Sequence, residues 1–216
     1  VHDFLETWNF ASVPDAAFLE KHFSGYSFGK GYEDITPASA DMLDHLREAL
    51  LPGMDCSVEE ACRTPKTSEW QFHLPAMTGF SVAKIAKVFR DHDDSEYADS
   101  LESLGSDALE GFLQGFIDKI AAHGTAYGVI DWKTNQLAAY DQESLRKAAR
   151  SSHYWLQTHL YLVALRRYLG QQADIRGAWL IYLRGVKSGT PNSILHINPT
   201  PALLDGLGEL LTPSKP

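Results

Sequence analysis

The spacing of apolar residues divides the chain into helical and extended stretches. At the start, HDFLETWNF sets Phe4, Leu5 and Trp8 on one helical face and His2 and Glu6 one turn apart on another, which predicts a helix over 2–10. AAFLEKHF and SADMLDHLREALL repeat apolar positions at intervals of three and four and read as two more helices, with Ser39 or Asp41 capping the second. SEWQFHLPA alternates apolar and polar over 68–74, the period of a half-buried strand ahead of Pro75. FSVAKIAKVFR, residues 80–90, fits either a strand or a helix, and the acidic DHDDSEYADSLESLGSD reads as a solvated loop.

From Gly111 the pattern sharpens. GFLQGFIDKIAA and AYGVIDWKTN are two strand-like runs separated by His123, Gly124 and Thr125, a hairpin signal because glycine takes the positive φ of a tight turn. With His123-Gly124 as the loop, Asp118 faces Val129 and shares a sheet face with Asp131 and Lys133; with Gly124-Thr125, it stands directly opposite Asp131. Either register brings both carboxylates and the lysine to one face, whereas a three-residue loop does so only with a bulge. Residues 141–169 predict a long helix with room for a break near Ser151-Ser152 and a stop at Gly170. IRGAWLIYLRG is a further strand, SILHINP a candidate strand, PALLDGLGELL a short helix and TPSKP a frayed end. No internal repeat is visible.

Composition then narrows the function. The 216 residues suit one α/β domain, and 44% hydrophobic, 22% charged and 11% aromatic residues exclude a disordered or collagen-like chain. No run is long and apolar enough to span a bilayer and the start lacks the pattern of a signal peptide, so a soluble cytoplasmic protein without a membrane partner is expected. Cys56 and Cys62, in a CxxxxxC spacing, match neither a zinc site nor a disulfide framework and read as free thiols. A net charge of −9 argues against a free-standing DNA clamp, which needs a basic surface. It suits clustered carboxylates that hold a cation while a partner delivers the strand. The chain begins with Val1, followed at once by a motif residue, and is expected to be cut from a longer one.

Two acids and a lysine converging from adjacent strands are the minimum apparatus for metal-assisted phosphodiester hydrolysis. Carboxylates hold a hard cation such as Mg²⁺, and a lysine supplies a compact charge beside the attacking water. A lone DxK is weak, because an exposed Asp-Lys pair on any strand has the same spelling. Several motifs in order are not. GFLQGFIDKI, then YGVIDWKTN, HYWLQTHLYLVALRRYL and IYLRGV, resemble the RecB family of nuclease domains, the C-terminal nuclease part of the beta subunit of the RecBCD helicase-nuclease, exodeoxyribonuclease V. VHDFLETWNF is similar to the helix that supplies the family's histidine, SEWQFHLP to the strand before the catalytic one, and NPTPALLDGLGELL to the family's end. The likeness is strong over 1–10, 68–75 and 109–211, and loose over 14–65 and 78–108.

The resemblance implies a restriction-endonuclease-like PD-(D/E)xK fold, α/β with a central mixed sheet flanked by helices, over a single domain 1–216. It implies His2, Asp118, Asp131 and the backbone carbonyl of Trp132 as metal ligands, Lys133 as the catalytic lysine with Asp118 and Asp131, and Gln157 and Tyr161 of a QxxxY motif as substrate-positioning residues. Trp132 stands where the family often has Tyr, which matters little if only its carbonyl binds. Glu6 reads as a solvated residue or a supporting neighbour, and Arg184, His153 and His159 receive no role. The implied activity is a Mg²⁺-dependent DNA exo/endonuclease, cutting single strands or ends fed by the helicase domain of the same longer chain beside RecC- and RecD-like subunits, in double-strand-break repair and degradation of foreign DNA. Mn²⁺ is an expected substitute, since imidazole is softer than Mg²⁺ prefers; ATP would enter only through the absent helicase portion. Two other readings compete. A stand-alone CRISPR-associated RecB-like nuclease of the kind carrying an iron-sulfur cluster needs four cysteines, and this chain has two. An inactive scaffold gripping DNA or partner subunits would have lost an acid or the lysine.

Overall fold

The amino-terminal apolar faces build a small helical layer: α1 (His2–Thr7), α2 (Ala16–Phe23), α3 (Ile35–Glu48), a ribbon of β1 (Leu50–Leu51) and β2 (Cys56–Ser57), and α4 (Val58–Cys62). The computed structural model describes residues 2–23, 35–63, 68–92, 94–103, 108–186 and 193–212. The first helix stops at Thr7, short of the expected Phe10, where φ of 58° turns the chain. α3 starts at Ile35, so Ser39 and Asp41 lie inside it and cap nothing. Pro37 falls in its first turn, where a missing amide costs no helical bond.

A five-stranded mixed sheet follows, in the order β3 (Ser68–Ser81), β4 (Ala108–His123), β5 (Ala126–Lys133), β6 (Asp174–Tyr182) and β7 (Ile194–Ile197). β5 and β6 are parallel and the other neighbours antiparallel. A parallel step needs a crossover, and α7 (Gln142–Ser151) with α8 (Tyr154–Leu169) supplies it. The long helical stretch breaks after Ser151, at the place where the sequence left room for it, and His153 adopts a left-handed φ of 56° between the two helices. α9 (Pro201–Leu210) closes the fold. Residues 82–91 resolve as a helix, α5 (Val82–Asp91), and the acidic stretch read as a loop contains α6 (Ser95–Glu102). Its acids have distant partners: Arg150 bonds Asp94 at 2.7 Å and Glu96 at 3.0 Å, and Arg90 bonds Asp99 and Glu102. Tyr97 and Leu101 bury its apolar side. Among the described residues no helix is long and apolar enough to cross a membrane.

The sheet separates two cores. Val129, Leu180, Tyr182, Leu195 and Ile197 face α8 and α9, while Ile130, Trp132, Trp179, Ile181 and Ile194 face the amino-terminal layer. On β4 the alternation breaks. Leu113 and Ile117 pack toward α8, yet Lys119 lies over Phe10 and Ala121 joins the opposite core, leaving Ile120 on the α8 side. The switch falls at Asp118. Across from it, between the pairs Ser68–Lys119 and Trp70–Ile117, Glu69 has a φ of 49°. An irregular residue that re-aims a side chain beside a site is what local disruption of a ladder commonly achieves.

Close approach of strands makes two glycines obligatory. A Cβ on Gly128 would lie 2.6 Å from the carbonyl oxygen of Gly177 and collide with Trp179; one on Gly177, whose φ is 102°, would collide with the carbonyl oxygen of Ile197. Gly177→Ala is therefore expected to cost roughly 2–4 kcal/mol, from backbone strain and the clash together, measured by urea unfolding. A second prediction concerns His159, which is buried against Phe89 and Trp155, with Nδ1 2.6 Å from the carbonyl of Trp155. Burial depresses its pKa from 6.5 to about 4. The unfolded chain thus takes up this proton first, so the stability tied to neutral His159 is complete above pH 6.5 and is lost as pH falls toward 4. Against a His159→Leu variant, wild type should lose on the order of 3 kcal/mol more across that window.

Candidate functional site

The β4–β5 hairpin turns on Gly124-Thr125, the second of the two loops weighed from sequence, with His123 paired to Ala126 and Lys119 to Ile130. One step further, that register sets Asp118 against Asp131. Here the side chain takes over from the ladder: the backbone amide of Trp132 donates to Asp118 Oδ2 at 2.8 Å. The two carboxyls are also hydrogen-bonded to each other, so they occupy one small volume.

That volume is poorly solvated. Asp131 is 3% exposed and Lys133 8%, so neither relies on water to spread its charge. Burial first, and then the charge of Asp131, push the Asp118 carboxyl up to about 7; the Trp132 amide and the Lys133 ammonium pull in the other direction. Lys133 is ion-paired with Asp131 Oδ2, its Nζ donates to Gln157 Oε1 at 3.4 Å, and it lies 3.6 Å above the centroid of the Tyr154 ring. Gln157 in turn donates through Nε2 to the Tyr161 hydroxyl at 2.8 Å. Tyr161 is buried edge-on to Phe72, and its phenol is pushed upward first by burial and then by Asp131 and Asp118. Tyr182, the partner of Lys133 across the parallel ladder, is likewise raised by burial, with Tyr154 and Asp131 adding to the effect.

Asp118, Asp131, Lys133, Gln157 and Tyr161 are therefore brought together as connected neighbours. The Trp132 indole points the other way, stacked on Phe10, which stacks on Trp8 behind α1. Its backbone stands between Asp131 and Lys133, with the amide already engaged by Asp118. His2 opens α1, but its side chain lies outside the described residues. Among the described residues no group of three or more His, Cys, Asp or Glu is arranged to hold a metal; the carboxylate donors reduce to the Asp118–Asp131 pair. Two residues escaped the sequence reading. Tyr154 shares a helix face with Gln157 and Tyr161 at i, i+3 and i+7, a spacing that could have marked it. Glu69 shares a hydrogen bond with Glu6, whose carboxyl is raised by burial first and then by Glu69. Only the lone acid in an otherwise alternating strand hinted at it.

As chemistry, the donor set is hard: acceptor oxygens from two carboxylates forced together, one of them held toward protonation. A divalent cation would relieve both the repulsion and the desolvation, so the residues present fit one. Soft thiols take no part. Cys56 and Cys62 are buried in the amino-terminal layer, and burial raises them to about 11 and about 12.

Comparison with known proteins identifies the family. The PD-(D/E)XK nuclease superfamily model matches residues 17–207. The chain is 31% identical over 254 residues to RecBCD enzyme subunit RecB of Mycobacterium tuberculosis H37Rv, an alignment covering 98% of this chain and 23% of that protein. It is 26% identical over 218 residues to the subunit of the same name in Haemophilus influenzae, with 88% and 18% covered. For that of Escherichia coli K12 the figures are 26% over 208 residues, 91% and 17%. The chain thus spans less than a quarter of the length of each of these relatives. With a matching model over most of its length and the paired acids and lysine of the D…DxK pattern on one sheet face, the chain belongs to the PD-(D/E)XK nuclease superfamily.

Proposed function

We propose that this domain hydrolyses phosphodiester bonds of DNA, with a divalent cation, Mg²⁺ or Mn²⁺, held by Asp118, Asp131, the backbone carbonyl of Trp132 and His2. The observation that carries the reading is the contact between the buried Asp131 carboxylate and the partly buried Asp118 carboxylate, beside one buried lysine. Such an arrangement is costly for stability and has an evident use in binding a cation. The bound cation supplies Lewis acidity toward a phosphate oxygen and a water of lowered pKa. The chain's own residues do the rest. Asp118 and Asp131 present their oxygens from two strands locked in register. Lys133, held by Asp131 and Gln157, places its ammonium where negative charge grows on phosphate as an in-line attack proceeds. Gln157, fixed by Tyr161, lines the edge toward the substrate.

The relatives are named as subunits of the RecBCD enzyme, and the net charge of −9 suits a domain that receives DNA instead of capturing it. The proposal accordingly extends to single strands or ends fed by a helicase in a longer chain, within a multi-subunit complex serving break repair and the removal of foreign DNA. All three D…DxK side chains are present and converge, which favours an active enzyme over a scaffold that has lost its chemistry.

Two outcomes are expected. With Mg²⁺ or Mn²⁺, the protein should degrade linear single-stranded DNA, while Asp131→Ala and Lys133→Ala should each lower the rate by at least ~100-fold and EDTA should abolish it, followed by release of acid-soluble nucleotides. Without metal, the raised Asp118 carboxyl makes a stabilising contribution that is complete below its ordinary value of 3.8 and is lost as pH rises through about 7. At pH 8, Asp118→Asn should therefore melt higher than metal-free wild type, by on the order of 1 kcal/mol. Mn²⁺ should raise the melting temperature of wild type and not of the variant.

A further inference from the structure

Tyr154 opens α8 and meets the lysine of the site with its aromatic face. The Lys133 Nζ to ring-centroid distance of 3.6 Å is van der Waals contact. Tyr154 is held at its hydroxyl and at its backbone. Its hydroxyl lies 3.4 Å from Asn135 Nδ2, on the segment that leaves β5, so Asn135 ties the ring to the strand that carries Lys133. Its backbone carbonyl accepts from the Thr158 hydroxyl at 2.7 Å, and the left-handed His153 just before it sets where α8 begins.

The lysine needs such a neighbour because its charged partner is shared. Asp131 pairs with Lys133 and also presses against Asp118. In the function proposed above, Asp131 would share its charge with a cation, which would repel an ammonium. Groups that retain the ammonium under those conditions must be neutral and electron-rich, so that they neither leave for the cation nor need a counter-charge. The Gln157 amide oxygen is neutral but is itself an oxygen that a hard cation can take, whereas the face of Tyr154 is not. The ring quadrupole attracts the ammonium without competing for a hard cation, which prefers oxygen.

We propose that Tyr154, steadied by Asn135, is a positioning residue for Lys133, holding its ammonium at the reacting phosphate when the charge of Asp131 is drawn away. This rests on the reading of Lys133 as the lysine of a nuclease. The test compares wild type with Tyr154→Leu, Tyr154→Met and Tyr154→Phe, each checked for an unchanged melting temperature. In proton NMR of the metal-free protein, the methylene next to Nζ of Lys133, assigned by its loss in Lys133→Met, should lie upfield of the other lysines through the ring current. The Phe variant should keep that shift and the Leu and Met variants should lose it. With Mg²⁺ and single-stranded DNA, the Leu and Met variants should lose about tenfold in kcat with KM within about twofold of wild type, and the Phe variant should recover most of that loss. An unshifted Lys133 methylene in wild type overturns the proposal without any variant. A folded, fully active Tyr154→Leu beside an inactive Lys133→Ala overturns it and leaves the nuclease reading standing. Undiminished cleavage by Lys133→Ala overturns both.

Discussion

Two carboxylates pressed together, one buried and one partly so, with one buried ammonium alongside, form the constraint on which the site depends. Like charges in contact inside a protein repel by several kcal/mol at intermediate dielectric. Left to itself such a pair would open or take up a proton, and the raised carboxyl of Asp118 records that tension. The rest of the fold has to oppose it. The antiparallel register from His123–Ala126 to Lys119–Ile130 delivers both acids to the same point, and the Trp132 amide fastens one of them there.

The sheet lets both cores act on this point. On one side, Trp132 stacks on Phe10 and through it on Trp8, so the amino-terminal layer grips the peptide between Asp131 and Lys133 from behind. On the other, α8 brings Tyr154 and Gln157 against Lys133 as neutral partners, with Tyr161 holding Gln157 from behind. The break in alternation at Asp118 joins the two halves. It lets one strand bury Ile117 and Ile120 on the same side while Lys119 turns to the other, with the irregular Glu69 across from it. A strand in perfect alternation could not bury both isoleucines toward α8.

Much of this was legible from sequence because a hairpin reduces to parity. Once a short glycine turn is placed, the relation of Asp118 to Asp131 and Lys133 follows from counting, and the structure selects the register in which the acids face each other. The strands and the long helical stretch at 141–169 were likewise readable from apolar spacing, and the mixed sheet from the family resemblance alone. What escaped depends on partners distant in the chain. The acidic stretch has a loop's composition, yet Ser95–Glu102 within it form α6 because Arg90 and Arg150 neutralise its acids and Tyr97 finds a buried slot. The break allowed near Ser151-Ser152 does occur, but its place is set by a left-handed histidine, with no glycine or proline to announce it. Tyr154 shares a helix face with Gln157, but a tyrosine there usually fills a core. Its meaning comes from the height of α8 over β5, which local pattern does not specify.

Membership of the PD-(D/E)XK superfamily and the geometry at Asp118 and Asp131 lead to one physical claim, that the pair exists to share a cation. The most direct measurement is anomalous diffraction from a crystal soaked in Mn²⁺ at neutral pH. The account predicts a single strong peak within coordination distance of oxygens from both carboxylates, about 2.0–2.3 Å, with the Lys133 ammonium outside that shell. A peak bound elsewhere, or no peak beside a carboxylate pair still hydrogen-bonded to itself, would contradict it.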